Sequence, residues 1–440
     1  MMTHRVLIVT GSYAPTMTAD MHRARHLAWE LPKLGWDVEI LCPDQSYQRS
    51  QSVDADSDPF FSPTSTIHFV KAYHPALFSA LGLGGIGLRA FVPMMRAGRE
   101  LLKSRRFDLV YFSTAQYPLF ILGPVWWRQF GIPYVLDFHD PWYVEGKTYP
   151  SWARRSVKHA VALWLGRHME SLSAIYATGI VSVSPHYSDT LYQRYAARKP
   201  AWLGTGRMAV IPFAALPHDL DAASRCASHY SGKQTQTQMQ QSKIIYVGAG
   251  GPIMRRSFAL LCRTLSHLRA QHPKLVEGVR IDLYGTMTGW REGDPQDLAN
   301  LARDQGVADF VKEHPRWISY GRSLDLLLES DGALILGVDD AGYMPSKLFS
   351  YALTGKPLMA LLRADGPAFA QFQSLGGLGH VLWFNEFDEM PLADAAIVVK
   401  KFLEEVVARR NFDRRAILEP FLASSMAHRH VSLFEACLQH

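Results

Sequence analysis

Short apolar runs alternate with longer stretches of helical spacing from one end of the chain to the other. Residues 6–9 (VLIV), 38–42, 107–110, 134–136, 181–183 and 210–211 read as buried strands with helical segments between them. A second set opens at 244–247 (IIYV) and continues through 281–284, 332–338, 357–362 and 380–384. This rhythm predicts parallel sheets with crossover helices rather than an all-α or all-β protein. Between the sets, 224–242 (SRCASHYSGKQTQTQMQQS) is rich in Gln, Thr and Ser, which bury too little surface to order themselves, and reads as a mobile loop or linker. At 440 residues the chain exceeds one ordinary core, and two domains are expected. The boundaries follow the pattern: 1–215, a linker at 216–242, 243–420, and a terminal helical segment at 421–440 expected to cross back onto the first domain.

The richest stretch for chemistry is 343–357 (YMPSKLFSYALTGKP), which follows the apolar strand at 332–338. Ser346 is placed to cap a helix whose apolar face is Leu348, Phe349, Ala352 and Leu353, and Gly355 with Pro357 ends it. Unpaired amides of a first helical turn, with Lys347 beside them, suit a phosphate or diphosphate. A second phosphate candidate is 247–256 (VGAGGPIMRR), where Gly248 and Gly250 allow close backbone approach and Arg255 and Arg256 supply charge. The third glycine of a dinucleotide fingerprint would fall on Ile253, so that reading is rejected. After the strand at 134–136 comes Asp137-Phe138-His139-Asp140-Pro141-Trp142, a histidine flanked by carboxylates at a strand's C-terminal end. Such a histidine can orient or deprotonate a hydroxyl, and the alternative is a turn whose side chains satisfy loop amides.

The wording of 343–357 resembles the P-x-K-x-x-E-Y-x-x-x-G-K-P segment of the two-domain B-fold glycosyltransferases, family 4 in particular. Further motifs of that family recur in order: G-x-D-V at 35–38, F-D-L-V at 107–110, G-I-P-Y-V-L-D-F-H-D-P-W at 131–142, V-S-V-S at 181–184, V-I-P-F at 210–213, I-Y-V-G at 245–248 and D-L-Y-G at 282–285. The resemblance implies an α/β chain of two Rossmann-like domains facing a central cleft, the GT-B fold. It also implies transfer of a sugar from a nucleotide-sugar donor to a hydroxyl acceptor with retention. By that resemblance one of Arg255 and Arg256, with Lys347 and the amides around Ser346, holds the donor diphosphate. His139, with Asp140, stands at the reaction centre, and Gly11 in the loop 11–20 faces the donor, with Arg23 a weaker candidate. The chain departs from the family at two places: Ser350 stands where a ribose-binding carboxylate is usual, and Gly342 where a second glutamate often sits. Asp339 and Asp340 are close enough in sequence to substitute. These losses keep two rivals open, a non-catalytic binding or scaffold subunit of the same fold and a sugar-nucleotide epimerase.

Charge adds a partner. Residues 1–215 carry 22 Lys and Arg against 15 Asp and Glu, a net +7, and the remainder 24 against 25, a net −1. Cations concentrate at 89–106, just after the apolar, glycine-rich 77–95, and again at 152–168 (WARRSVKHAVALWLGRH). Basic residues beside apolar ones suit an anionic membrane surface, and the equal alternative is a helix with a charged outer face. The stretch 89–106 lacks the interleaved aromatics of a nucleic-acid site, and no recognition motif is present. The start of the chain is strand-like, and no apolar run is long enough to span a membrane. A cytoplasmic protein, peripheral at the inner membrane face, is therefore expected. The cysteines, Cys42, Cys226, Cys262 and Cys437, lie too far apart for a zinc or redox pair. Asp54, Asp56 and Asp58 form D-x-D-x-D without the rest of a calcium loop, and no metal or other cofactor is expected. The expected partners are a nucleotide-sugar and a glycan or lipid-linked acceptor of envelope polysaccharide or glycolipid synthesis.

Overall fold

The computed structural model describes residues 4–48, 54, 65–76, 84–143, 157–230, 241–287 and 290–439. It divides into two compact units: Met1–Phe213 with Ala423–His440, and Ala214–Leu422. Each is a parallel sheet flanked by helices, as the alternation of strand-like and helical segments predicts.

The first unit orders its strands β3-β2-β1-β4-β5-β6-β7. These are β1 His4–Val9, β2 Trp36–Pro43, β3 Thr66–Val70, β4 Leu109–Ser113, β5 Tyr134–Phe138, β6 Gly179–Ser182 and β7 Met208–Val210. Successive side chains of a strand point to opposite faces, so Leu7, Val9, Val110, Phe112, Leu136 and Phe138 share one core. Tyr111 and Asp137 therefore face the other way. That second face is covered by the helix Ala19–Glu30 and by the terminal helix Ala423–Leu438, whose Phe434 packs on Trp36 and Tyr111 at 5.4 and 5.2 Å between ring centres.

The second unit orders its strands β10-β9-β8-β11-β12-β13. They are β8 Ser242–Val247, β9 Val279–Tyr284, β10 Val311–His314, β11 Gly332–Leu336, β12 Leu358–Arg363 and β13 His380–Phe384. The central strands are apolar on both faces, as buried parallel strands must be. Ile244, Leu334 and Met359 enter one core, and Ile245, Ala333 and Leu358 the other.

One expectation changes. Residues 224–230 belong to the helix Pro217–Tyr230, which starts at a proline, carries Asp219 in its first turn and ties that carboxylate to Tyr320 Oη at 2.6 Å. Ser224 and Arg225 are exposed on this helix, and 231–240 lie outside the described residues. Along the basic stretch 89–106 the apolar side turns inward, while Arg96, Lys103, Arg105 and Arg106 are exposed. Met94, Gly98 and Leu102 of the helix Phe91–Ser104 are buried. Arg89 is buried too and donates to Gly84 O, Tyr73 O and Tyr47 O, and Arg105 pairs with Glu39 at 2.7 Å. The apolar residues 77–83 lie outside the described residues.

Candidate functional site

In a doubly wound sheet, ligands bind beyond the strand C-termini where the strand order reverses. In the second unit that point lies between β8 and β11, and the loops that leave these two strands carry the cationic candidates.

Lys347 lies just before the helix Leu348–Leu353, and its Nζ donates to Val247 O at 2.7 Å. Tyr351 Oη donates to the same oxygen at 2.8 Å and accepts from Val247 N at 3.0 Å. A Cβ at residue 248 would collide with Lys347 Nζ, so Gly248 is required for this approach. Withdrawal of the ammonium from water draws its pKa down to about 8. The residue as a whole keeps more than a third of its surface exposed, and that access to water tempers the shift. Arg256, in the first turn of the helix Arg255–Gln271, reaches Asp339 at 3.3 Å and lies over the Phe384 ring at 5.7 Å. Asp339 is shared with Arg363 at 2.6 Å. Arg255 points elsewhere, to Asp297 at 3.6 Å, and is half exposed. Gly250 leaves room for the Met254 thioether, which closes the turn against Tyr246 Oη at 3.1 Å.

Ser346 does not cap its helix. The N-cap position is Lys347, no side chain bonds there, and the helix has only six residues. So short a helix carries little dipole, and charge at this loop comes from Lys347 rather than from aligned amides. Gly355 ends the helix in the left-handed region, φ 75°. Ser350 is half buried on it. Asp339 is held between two arginines, and Asp340 closes a turn onto Gly342 N at 2.9 Å.

In the first unit the strand order reverses between β1 and β4. There Gly11 N donates to Thr114 Oγ1 at 3.0 Å, and a side chain at Gly11 would strike Thr114 and Gln116. Next to this point a buried network surrounds Asp137, which is fully shielded. Its carboxylate accepts from Arg23 Nε (2.7 Å) and Nη2 (3.0 Å), Tyr111 Oη (2.6 Å) and His139 Nε2 (2.8 Å). Burial alone would raise the Asp137 pKa, but the Arg23 guanidinium and His139 outweigh it and hold the carboxyl well below its usual range. Arg23 uses its remaining donors on Pro212 O (2.9 Å) and Ile211 O (2.8 Å). An ionised carboxylate only accepts, so the proton of neutral His139 sits on Nε2 and Nδ1 presents a lone pair. Nδ1 is buried and has no hydrogen-bond partner among the described residues. A buried acceptor in that state calls for a donor such as a hydroxyl.

Sequence reasoning named His139 with Asp140, and the residue bonded to the imidazole is Asp137. Asp140 is exposed and its backbone N donates to Tyr117 Oη at 3.0 Å, whereas Asp137 orients the imidazole. Arg23, a weak candidate for donor contact, is instead the buried counter-ion of Asp137. Tyr111 and His430 escaped notice because neither belongs to a motif. His430 on the terminal helix sits 2.9 Å from Tyr111 Oη and 2.8 Å from Met426 O, and burial lowers its pKa to about 3. The signal that could have found the network is Asp137, a carboxylate inside the apolar strand Tyr134–Phe138.

No three or more His, Cys, Asp or Glu side chains gather to hold a metal among the described residues. Asp56 and Asp58 lie outside them.

The two parallel sheets and their strand orders are those of the B fold seen in glycosyltransferases. Residues 22–212 match the glycosyl transferase 4-like domain family. No curated protein matches it. Among solved structures it is similar to a UDP-forming α,α-trehalose-phosphate synthase from Burkholderia xenovorans (12% identity, TM-score 0.60, 100% of each chain covered). It is also similar to HepE from Anabaena in complex with UDP (12%, 0.57, 98% of this chain and 100% of that one). A third is the N-terminal domain of the Candida albicans trehalose-6-phosphate phosphatase (13%, 0.58, 99% and 97%).

Proposed function

We propose that this protein transfers a glycosyl group from a nucleoside-diphosphate sugar to a hydroxyl of a glycan or lipid-linked acceptor, with retention and without a metal. The observation that carries the proposal is Lys347 Nζ, fixed on Val247 O beside Gly248 at the reversal of strand order in the second unit. Lys347 and Arg256 stabilise the diphosphate as the bond to the anomeric carbon breaks, which is the task a metal would otherwise perform. Ser346, Gly250 and Arg255 lie on the same two loops and complete the proposed donor surface. Ser350 offers a hydroxyl where relatives place a carboxylate, so the ribose is held more weakly here. His139 Nδ1 takes a hydrogen bond from a substrate hydroxyl, with Asp137 fixing its tautomer; Asp140 and Gly11 line the loops nearby. The HepE structures hold UDP and UDP-glucose, which makes uridine donors the first to test. Envelope polysaccharide or glycolipid synthesis, on the cytoplasmic side, is the setting that fits such an acceptor.

The test is thermal stabilisation by nucleoside diphosphates and nucleotide sugars, followed by an acceptor screen with product anomers assigned by NMR. A ligand at 100 times its Kd adds about 2.7 kcal/mol, a readable shift in Tm. Selective stabilisation by one nucleotide, lost in Arg256→Ala and Lys347→Ala, is expected. Binding without turnover would favour the scaffold reading, for which Ser350 and the doubly paired Asp339 speak. Conversion of the donor with no acceptor present would favour the epimerase.

A further inference from the structure

The helix Val157–Ile175 of the first unit turns one face inward and exposes apolar side chains on the other among the described residues. Inward lie Gly166, Ser173 and Ala174, and Glu170, the one acid on the helix, which is buried and bonded to Arg194 at 2.8 Å and to Tyr195 Oη at 2.8 Å. Outward, at helical spacing, stand Val161 (49% exposed), Trp164 (59%), Leu165 (40%) and Leu172 (39%). Tyr176 extends this row, stacked on the exposed Trp127 at 5.7 Å. Trp164 and His168 lie against each other, 4.3 Å between ring centres. At 1.5 Å per residue the stripe from Val161 to Tyr176 is about 22 Å long. Arg167 is exposed on the same helix, and the Arg128 guanidinium lies over Tyr176 at 4.9 Å.

Apolar stripes of this size on a water-soluble surface mark an interaction site. The charge beside this one has a single sign, since arginines flank it and the helix's only carboxylate is turned away and paired. A protein partner requires no such bias, whereas an anionic bilayer does: tryptophan and leucine enter the headgroup boundary while arginine meets lipid phosphate. No helix among the described residues is long and apolar enough to cross a membrane, so contact of this kind lies in the plane of the surface. We propose that the stripe of Val161, Trp164, Leu165, Leu172 and Tyr176, with Arg128 and Arg167, seats the first unit on an anionic lipid surface. This binding is separate from glycosyl transfer and is measured without substrate.

The test is co-sedimentation of the full chain with phosphatidylcholine vesicles containing 30% phosphatidylglycerol, beside vesicles of phosphatidylcholine alone. Expected are at least tenfold stronger partition onto the anionic vesicles and a several-fold loss when salt rises from 0.1 to 1 M, which shortens the screening length from about 10 to about 3 Å. Partition should also fall at least tenfold in Trp164→Glu and in Leu172→Glu. Both side chains are exposed, so the variants should melt with the wild type, and Arg128→Gln/Arg167→Gln gives a second route that leaves the apolar residues alone. Brominated lipid should quench fluorescence that disappears in Trp164→Phe. Equal partition onto neutral vesicles, or binding unchanged in the glutamate variants, would overturn the proposal. So would a dimer in solution that Trp164→Glu dissociates.

Discussion

Replacing Asp137 by asparagine changes one atom and removes one charge from a site with no access to water. In the wild type, four donor hydrogens from Arg23, Tyr111 and His139 converge on its two oxygens at 2.6 to 3.0 Å, and the Arg23 side chain is fully buried. Asparagine keeps one acceptor oxygen and points an N–H2 group at donors, while the guanidinium loses its counter-ion. Breaking a buried pair from one side costs about 3–5 kcal/mol, because the partner charge stays behind uncompensated. For a domain of 150–250 residues each kcal/mol moves Tm by about 2–4 °C, so Asp137→Asn should melt about 6–20 °C below wild type by calorimetry. Removing both charges is a different perturbation. Arg23→Met/Asp137→Leu leaves no isolated ion and should recover more than half of that loss, a coupling readable in a double-mutant cycle. A melting temperature for Asp137→Asn within 2 °C of wild type would refute the reasoning, as would a double variant that loses the sum of the single effects. Activity carries a second readout, since the Asn variant no longer fixes His139 in the tautomer with Nδ1 free, and kcat should fall more than KM rises.

Three further outcomes follow from the same geometry. Lys347 is charged below its depressed pKa of about 8 and neutral above it, so the Kd for a nucleoside diphosphate should weaken about tenfold or more between pH 7.5 and 9.5. Lys347→Ala should cost 10- to 100-fold near neutral pH, the worth of about 1.5–3 kcal/mol for a charged hydrogen bond, and should flatten that pH dependence in calorimetric titrations. Acid should destabilise the first unit through His430, whose pKa falls from 6.5 to about 3 on folding. For such a group the unfolded chain takes the proton first, so stability is full above pH 6.5 and declines below it, by roughly 1.5 kcal/mol between pH 6.5 and 5. His430→Gln should remove that slope in urea titrations, leaving the loss from the low-pKa Asp137, which begins only below about pH 4. Gly248→Ala should push Lys347 Nζ off Val247 O and weaken diphosphate binding at least tenfold; unchanged binding would show that the lysine does not need that seat.

What the sequence discloses depends on how much of each signal is local. Central strands are legible because burial on both faces demands continuous apolar runs, and β1, β8 and β11 fall where VLIV, IIYV and GALIL stand. Two edge strands are not: β3 (TIHFV) and β10 (VKEH) each leave positions exposed, so neither shows an unbroken apolar run. The same rule divides the site. Gly248, Lys347 and Arg256 sit in short loops whose composition betrays them, and the register of β8 and β11 then brings those loops together. The Asp137 network draws on residues 23, 111, 137, 139 and 430, from two helices, two strands and a loop, and no spacing rule links them. Its one local clue is an ionisable residue inside the apolar strand YVLDF. Burying a carboxylate there is tolerable only if counter-charge and donors are already in place. Asp137 thus predicts, from sequence, that an arginine must arrive from elsewhere, but not which one. Arg23 can meet it because the helix Ala19–Glu30 lies on the sheet face that Tyr111 and Asp137 share. The terminal helix closes that face with His430 and Phe434. His139 is therefore oriented by residues up to 319 positions apart in the chain, and truncation of the terminal helix should disturb it as surely as a change beside it.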